Sequence, residues 1–70
     1  MYLRTQDEDV IIDMDKCTAV VADETGLYIH VIDGGTYLAG TYKNLVRTKE
    51  VLAEIYAVLD AVGKYDMPIV

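Results

Sequence analysis

Arg4 and Arg47 are the only arginines in a chain that carries twelve carboxylates. Each stands among groups suited to holding an anion. In the opening "MYLRTQ", Arg4 alternates with Tyr2 and Gln6, so a strand there puts these three on one side and Met1, Leu3 and Thr5 on the other. Arg47 clusters with Lys43 and Lys49 around an expected helix start, and these three are half of the basic residues. A helix amino terminus attracts anions through its unpaired N–H groups and its dipole. Guanidinium groups can grip phosphate bidentately, while Tyr2, Tyr28 or Tyr42 stack on a base or wall a pocket. The competing reading is plain surface chemistry: Arg47 pairs with Glu50 or Glu54, and Lys43 is simply solvated.

Other reactive groups are sparse. His30 could act as a base or hydrogen-bond an adenine, although a lone strand histidine is more often a half-buried packing residue. Cys17 and His30 lie on neighbouring expected strands and could form a thiolate–imidazole pair. Thr18 and Ala19 place that thiol in an apolar run, which favours a buried, inert cysteine. The run "DEDVIIDMD" (Asp7 to Asp15) puts Asp13 and Asp15 on one side of a strand, as a two-carboxylate magnesium site would want. It lacks the Asp-x-Asp-x-Asp-Gly loop of a calcium-binding hand, and a solvated turn with a charge-protected edge explains it more simply. One cysteine and one histidine are too few ligands for structural zinc. Serine is absent, so a serine nucleophile is excluded. Gly34-Gly35 has neither a following helix nor a Lys-Ser/Thr, so it marks a hairpin and not a phosphate loop. The expectation is a protein that is no enzyme, with no metal and no cofactor.

Composition narrows the class further. Seventy residues make one small domain, and a core of that size rarely supplies more than about 3–5 kcal/mol without a disulfide, a metal or a partner subunit. A single cysteine forbids an intrachain disulfide, which leaves assembly of several copies as the expected support. The apolar fraction of 53% points the same way, because a small domain cannot hide that much inside itself. A net charge of −6 argues against general nucleic-acid binding. The longest apolar runs fall far short of the ~20 residues of a membrane span, and no basic amino-terminal region leads into an apolar stretch. The unpaired cysteine fits a reducing cytoplasm.

The elements that must position these residues show two periodicities. Up to about Tyr42 the pattern is period two or short apolar runs. "VIIDM" puts Val10, Ile12 and Met14 on one face, and "CTAVVA" is a β-branched run. "DETG" reads as a turn whose glycine takes a positive φ. "LYIHVID" sets Leu27, Ile29 and Val31 against Tyr28, His30 and Ile32, and "TYLAGTY" ends the strands, with Gly40 marking a bulge or a close approach. Beyond it, Asn44 is a good N-cap, and Val51, Leu52, Ile55, Val58, Leu59 and Val62 recur at helical spacing. Gly63 fits the position past the helix end. The expected architecture is α+β: one antiparallel sheet of four to five strands over 1–42, then a carboxy-terminal amphipathic helix over 44–63 on one face. The tail 64–70, "KYDMPIV", is either disordered or docked on a neighbouring subunit. The opposite sheet face would be left bare for a second copy or a ligand.

The opening Met-Tyr-Leu-Arg-Thr-Gln-Asp, "LAGTYKN", "RTKEVLAEI" and the terminal "YDMP" together resemble small uncharacterised proteins of Firmicutes and their phages. These open Met-Trp/Tyr-Ile/Leu-Arg-Ser/Thr-Gln and later carry a Tyr-Lys…Arg…Val-Leu-x-Glu-Ile segment. Tyr2, Arg4, Gln6, Tyr42, Lys43, Arg47, Val51, Leu52, Glu54 and Ile55 match residue by residue, whereas the middle, from about Asp9 to Tyr37, does not align. Asn44 replaces the common Thr with the same capping role, and Leu45 and Val46 replace an acidic first turn. The resemblance implies a phage setting in a host cytoplasm and no known reaction. By analogy with small oligomeric phage proteins, it suggests a sponge that sequesters a nucleotide-derived defence signal at a subunit interface. The expected ligand site is then Arg4, Arg47, Lys43, Tyr2, Gln6, Tyr28, His30 and Tyr42. A second expectation, of another class, is an acidic interaction module or DNA mimic that inhibits a host protein through Asp7, Glu8, Asp9, Asp13, Asp15, Asp23 and Glu24.

Overall fold

The computed structural model describes residues 1–70. Strand β1 spans Tyr2–Arg4 and β2 spans Ile11–Asp13, followed by a single 3₁₀ turn at Met14–Lys16. Strands β3 (Cys17–Asp23), β4 (Gly26–Val31) and β5 (Thr36–Gly40) come next, then helix α1 (Leu45–Val58) and a last strand, β6 (Lys64–Asp66). The α+β class holds, but the strands divide into two three-stranded sheets, ordered β2-β1-β6 and β3-β4-β5. The single sheet of four to five strands is therefore corrected, and the helix is not the last element.

The reason lies in β6. It pairs in parallel with β1, Tyr2 opposite Lys64 and Arg4 opposite Asp66, while β2 pairs antiparallel on the other side. The Tyr2 amide donates to the Gly63 carbonyl at 2.8 Å and the Met67 amide to the Arg4 carbonyl at 3.0 Å, so the ladder continues beyond the strand's three residues. The tail is thus an internal part of the fold. Met67 is buried in the same core cluster as Leu3, Ile12, Met14, Leu27, Ile29, Ala39, Val51 and Ile55. One core serves both sheets.

Local chemistry explains most of the rest. In β1 Leu3 is fully buried while Tyr2 and Arg4 are exposed, as period two requires. In β4 Leu27 and Ile29 are buried, and Tyr28 and His30 face the other way. Asp23 closes the β3–β4 turn by accepting from the Thr25 amide, the Thr25 hydroxyl and the Gly26 amide. Gly26 takes φ +150°, and a Cβ there would lie 2.7 Å from the Gly40 carbonyl oxygen, so two strands meet where only glycine fits. The β4–β5 hairpin expected at Gly34-Gly35 is present, closed by a four-residue loop, 32–35, with the Gly35 carbonyl accepting from the Val31 amide.

Helix α1 is capped as expected: the Asn44 side chain accepts from the Arg47 amide at 2.8 Å. Val51 and Ile55 are buried, together with Thr48, whose hydroxyl donates to the Asn44 carbonyl. The helix ends at Val58, short of the expected 63, because Leu59 and Val62 find no core to cover them and stay exposed. Gly63, with φ +134°, turns the chain into β6 and is no helix cap.

Candidate ligand-binding clefts

The eight residues expected to form one ligand site are divided among three places. Tyr2 and Arg4 project from the exposed face of β1 and meet Lys64, Tyr65 and Asp66 of β6 in a cleft of about 420 Å³ that Ile11 completes. The parallel register aligns them, placing Arg4 opposite Asp66 and Tyr2 opposite Lys64. Arg4 Nε donates to Asp66 Oδ1 at 3.0 Å, with both side chains largely exposed. An exposed ion pair of this kind is worth about 0–1 kcal/mol, so an incoming phosphate can displace the carboxylate at little cost.

Tyr42, Lys43 and Arg47 line a separate cleft with Thr41, Ile69 and Val70. Here the arginine is already engaged. Arg47 donates through Nε and Nη2 to the Val70 oxygen at 3.3 and 3.0 Å, and through Nη1 to Glu50 at 3.3 Å. Glu54 lies 3.6 Å from the same Nη1, and the guanidinium carbon sits 5.7 Å from the centre of the Tyr42 ring. The Tyr42 hydroxyl donates to the Pro68 carbonyl at 2.9 Å. Burial and the neighbouring Glu54 outweigh Arg47 and push the Tyr42 hydroxyl above the usual tyrosine range. Arg47 and Tyr42 therefore hold the segment 68–70 against the helix start.

Gln6 does the same from the other side. Its amide nitrogen donates to the carbonyls of Thr41 and Ile69 at 3.0 and 2.9 Å, and its oxygen accepts from the Thr41 amide at 2.9 Å. Tyr28 and His30 sit apart from both clefts, on the side of β4 away from the core. The Tyr28 hydroxyl meets the Thr25 hydroxyl at 2.7 Å, and His30 Nδ1 meets the Thr36 hydroxyl at 2.9 Å. Cys17 is half-buried, with its thiol 3.5 Å from the Ala19 carbonyl oxygen and its pKa raised by burial. The Cys17 and His30 side chains thus hydrogen-bond elsewhere and not to each other. No group of three or more His, Cys, Asp or Glu residues converges on a metal-sized site.

Lys64, Tyr65 and Asp66 are the cleft residues that the sequence does not reveal, since the four residues between Gly63 and Pro68 are too few to show a period. Tyr65 also reaches back to the helix, donating to Glu54 Oε1 at 2.9 Å. Burial and that carboxylate together push its hydroxyl well above the usual tyrosine range. No helix is long and apolar enough to cross a membrane. No family model, curated protein or solved structure matches this chain.

Proposed function

We propose that this chain is a non-enzymatic binder of a small anionic, nucleotide-like ligand, held in the cleft between β1 and β6. The observation that carries the reading is the convergence of Arg4 and Lys64 with the exposed ring of Tyr2 around one open space of about 420 Å³, while the Tyr65 ring faces the helix. That volume falls in the range of small-molecule sites, roughly 300–1,000 Å³. Arg4 and Lys64 supply the charge for phosphate, and Tyr2, more than half exposed, offers a stacking face. Lys43 adds long-range attraction, and Arg47 supports the site at a distance by fixing the carboxy-terminal segment. The resemblance to small Firmicutes and phage proteins extends the proposal: the ligand is a nucleotide-derived signal, and binding sequesters it.

Calorimetry of the protein against a panel of cyclic and ADP-ribose-type nucleotides tests the reading. Heat of binding that Arg4→Ala and Lys64→Ala each abolish supports it, and no heat with any member of the panel overturns it.

A second reading, an acidic interaction module, is favoured by a different observation. Asp7, Glu8, Asp9, Asp13, Asp15, Asp23 and Glu24 pair with no lysine or arginine, and among them only Asp15 has a charged partner, the amino terminus at 3.8 Å. Glu8 is also held at φ 62° in the exposed turn after Gln6, a conformation uncommon for a residue with a side chain. What co-purifies separates the two readings. A 260 nm absorbance excess released on denaturation belongs to a nucleotide binder. A basic protein lost on the charge reversal Asp7→Lys/Glu8→Lys belongs to the interaction module.

A further inference from the structure

Each sheet has two edges, and three of the four edges are blunted. β2 and β6 are three residues long, and Asp13, Lys64 and Asp66 put charge on them. The β5 edge is bulged near Ala39, and Gln6 closes over it through its amide to the Ala39 carbonyl and its side chain to Thr41. The edge of β3 is bulged only at its start and has no covering segment. It is seven residues long, pairs only with β4, and from Cys17 to Ala22 contains no charge, glycine or proline. One bulge, at Thr18, leaves Ala19–Asp23 regular. A bare, apolar edge of this length is a template for another strand.

Beside it runs a groove of about 290 Å³ between β3 and α1, lined by Cys17, Ala19, Val20, Leu52, Tyr56 and Leu59 among others. Tyr56 is 82% exposed and Leu59 41%. The groove is apolar and continuous with the strand edge, so its occupant must supply a strand together with apolar side chains on one face of it.

We propose that the occupant is a second copy of this chain, paired β3 to β3 in antiparallel fashion about a two-fold axis through Val20, so that two three-stranded sheets become one of six. Charge selects this arrangement. Lys16 lies at one end of the strand, and Asp23 and Glu24 lie at the other. Antiparallel pairing about Val20 brings the Lys16 end of one strand beside the Asp23 and Glu24 end of the other, twice, whereas parallel pairing sets like charges side by side. Pairing with the axis perpendicular to the sheet keeps both α1 helices on one face. Leu52, Tyr56 and Leu59 of the two copies then meet over the junction and fill both grooves. The interface is self-complementary, as a two-fold contact must be. It lies on the other sheet from the β1–β6 cleft, so the inference stands whether or not that cleft binds a nucleotide.

Sedimentation equilibrium of the full chain over a concentration series tests it, with circular dichroism confirming that each variant is folded. Wild type is expected at twice the monomer mass, and Val21→Lys, which places a charge on the exposed regular edge, at the monomer mass. Lys16→Glu and Glu24→Lys are each expected to weaken dimerisation by roughly tenfold, since two exposed ion pairs turn into repulsions. The double variant Lys16→Glu/Glu24→Lys restores it. A wild type that stays monomeric to millimolar concentration overturns the inference. So does a dimer indifferent to Val21→Lys, or one that the double charge swap fails to rescue.

Discussion

The two arginines look alike in the sequence and differ in their surroundings. Arg47 makes hydrogen bonds to Val70 and Glu50, sits near Glu54 and lies over Tyr42, whereas Arg4 has one exposed carboxylate partner. Arg47→Ala is therefore expected to destabilise the fold by about 1–3 kcal/mol in urea melts, the cost of losing charged hydrogen bonds. Arg4→Ala should leave the midpoint nearly unchanged and act on ligand affinity instead. Asp66→Asn sharpens the distinction. It removes the negative charge beside Arg4, so an anionic ligand should bind several-fold tighter, the scale of one exposed ion pair of about 0.2–1 kcal/mol. Unchanged or weaker affinity in calorimetry would count against phosphate contact at Arg4. The tyrosines give a pH signature. Tyr65 and Tyr42 both have raised pKa values, so the folded state holds their protons more tightly than the unfolded chain does. Their contribution is fully present below the unfolded tyrosine value, about 10, and is lost as pH rises past it. Thermal melts should fall in midpoint above that pH, with a gentler fall in Tyr65→Phe.

At the scale of elements, the hairpin strands and the helix face were legible because each carries its own period over at least five residues. Leu27 and Ile29 against Tyr28 and His30, Asn44 before the helix, and the close approach at Gly40 all follow from local chemistry. There a Cβ would come within 2.8 Å of the Tyr42 hydroxyl. β6 was not legible. Its three residues have no period, and its ladder partner is about sixty residues away in the chain, so nothing local announces the pairing. Missing it turned two sheets into one, left Lys64 and Asp66 unrecognised as neighbours of Tyr2 and Arg4, and lengthened the helix to fill the gap. The structure makes the segment's weight measurable. Met67 is buried, so Met67→Ala is expected to cost about 2–5 kcal/mol in equilibrium unfolding, like any large-to-small core change. A disordered tail would cost nothing. By comparison Asn44→Ala, which removes one cap, should cost about 1 kcal/mol.

The whole molecule is two thin sheets and one helix around nine buried apolar side chains, and neither sheet has a core of its own. Unfolding should therefore be a single transition, with far-ultraviolet dichroism and tyrosine fluorescence coincident; separate midpoints would mean that the β2-β1-β6 sheet melts independently. The same geometry bears on how the chain is made. Leu3 is synthesised about sixty residues before its partner strand, so its sheet is completed only when Lys64–Asp66 has been made and Met67 has joined the core. Until then the exposed apolar edge of β3 and a β1 that can pair only with β2 coexist in a nascent chain whose core is open. Folding must wait for that segment and then proceed through a contact between residues about sixty positions apart, the kind of closure that slows folding most.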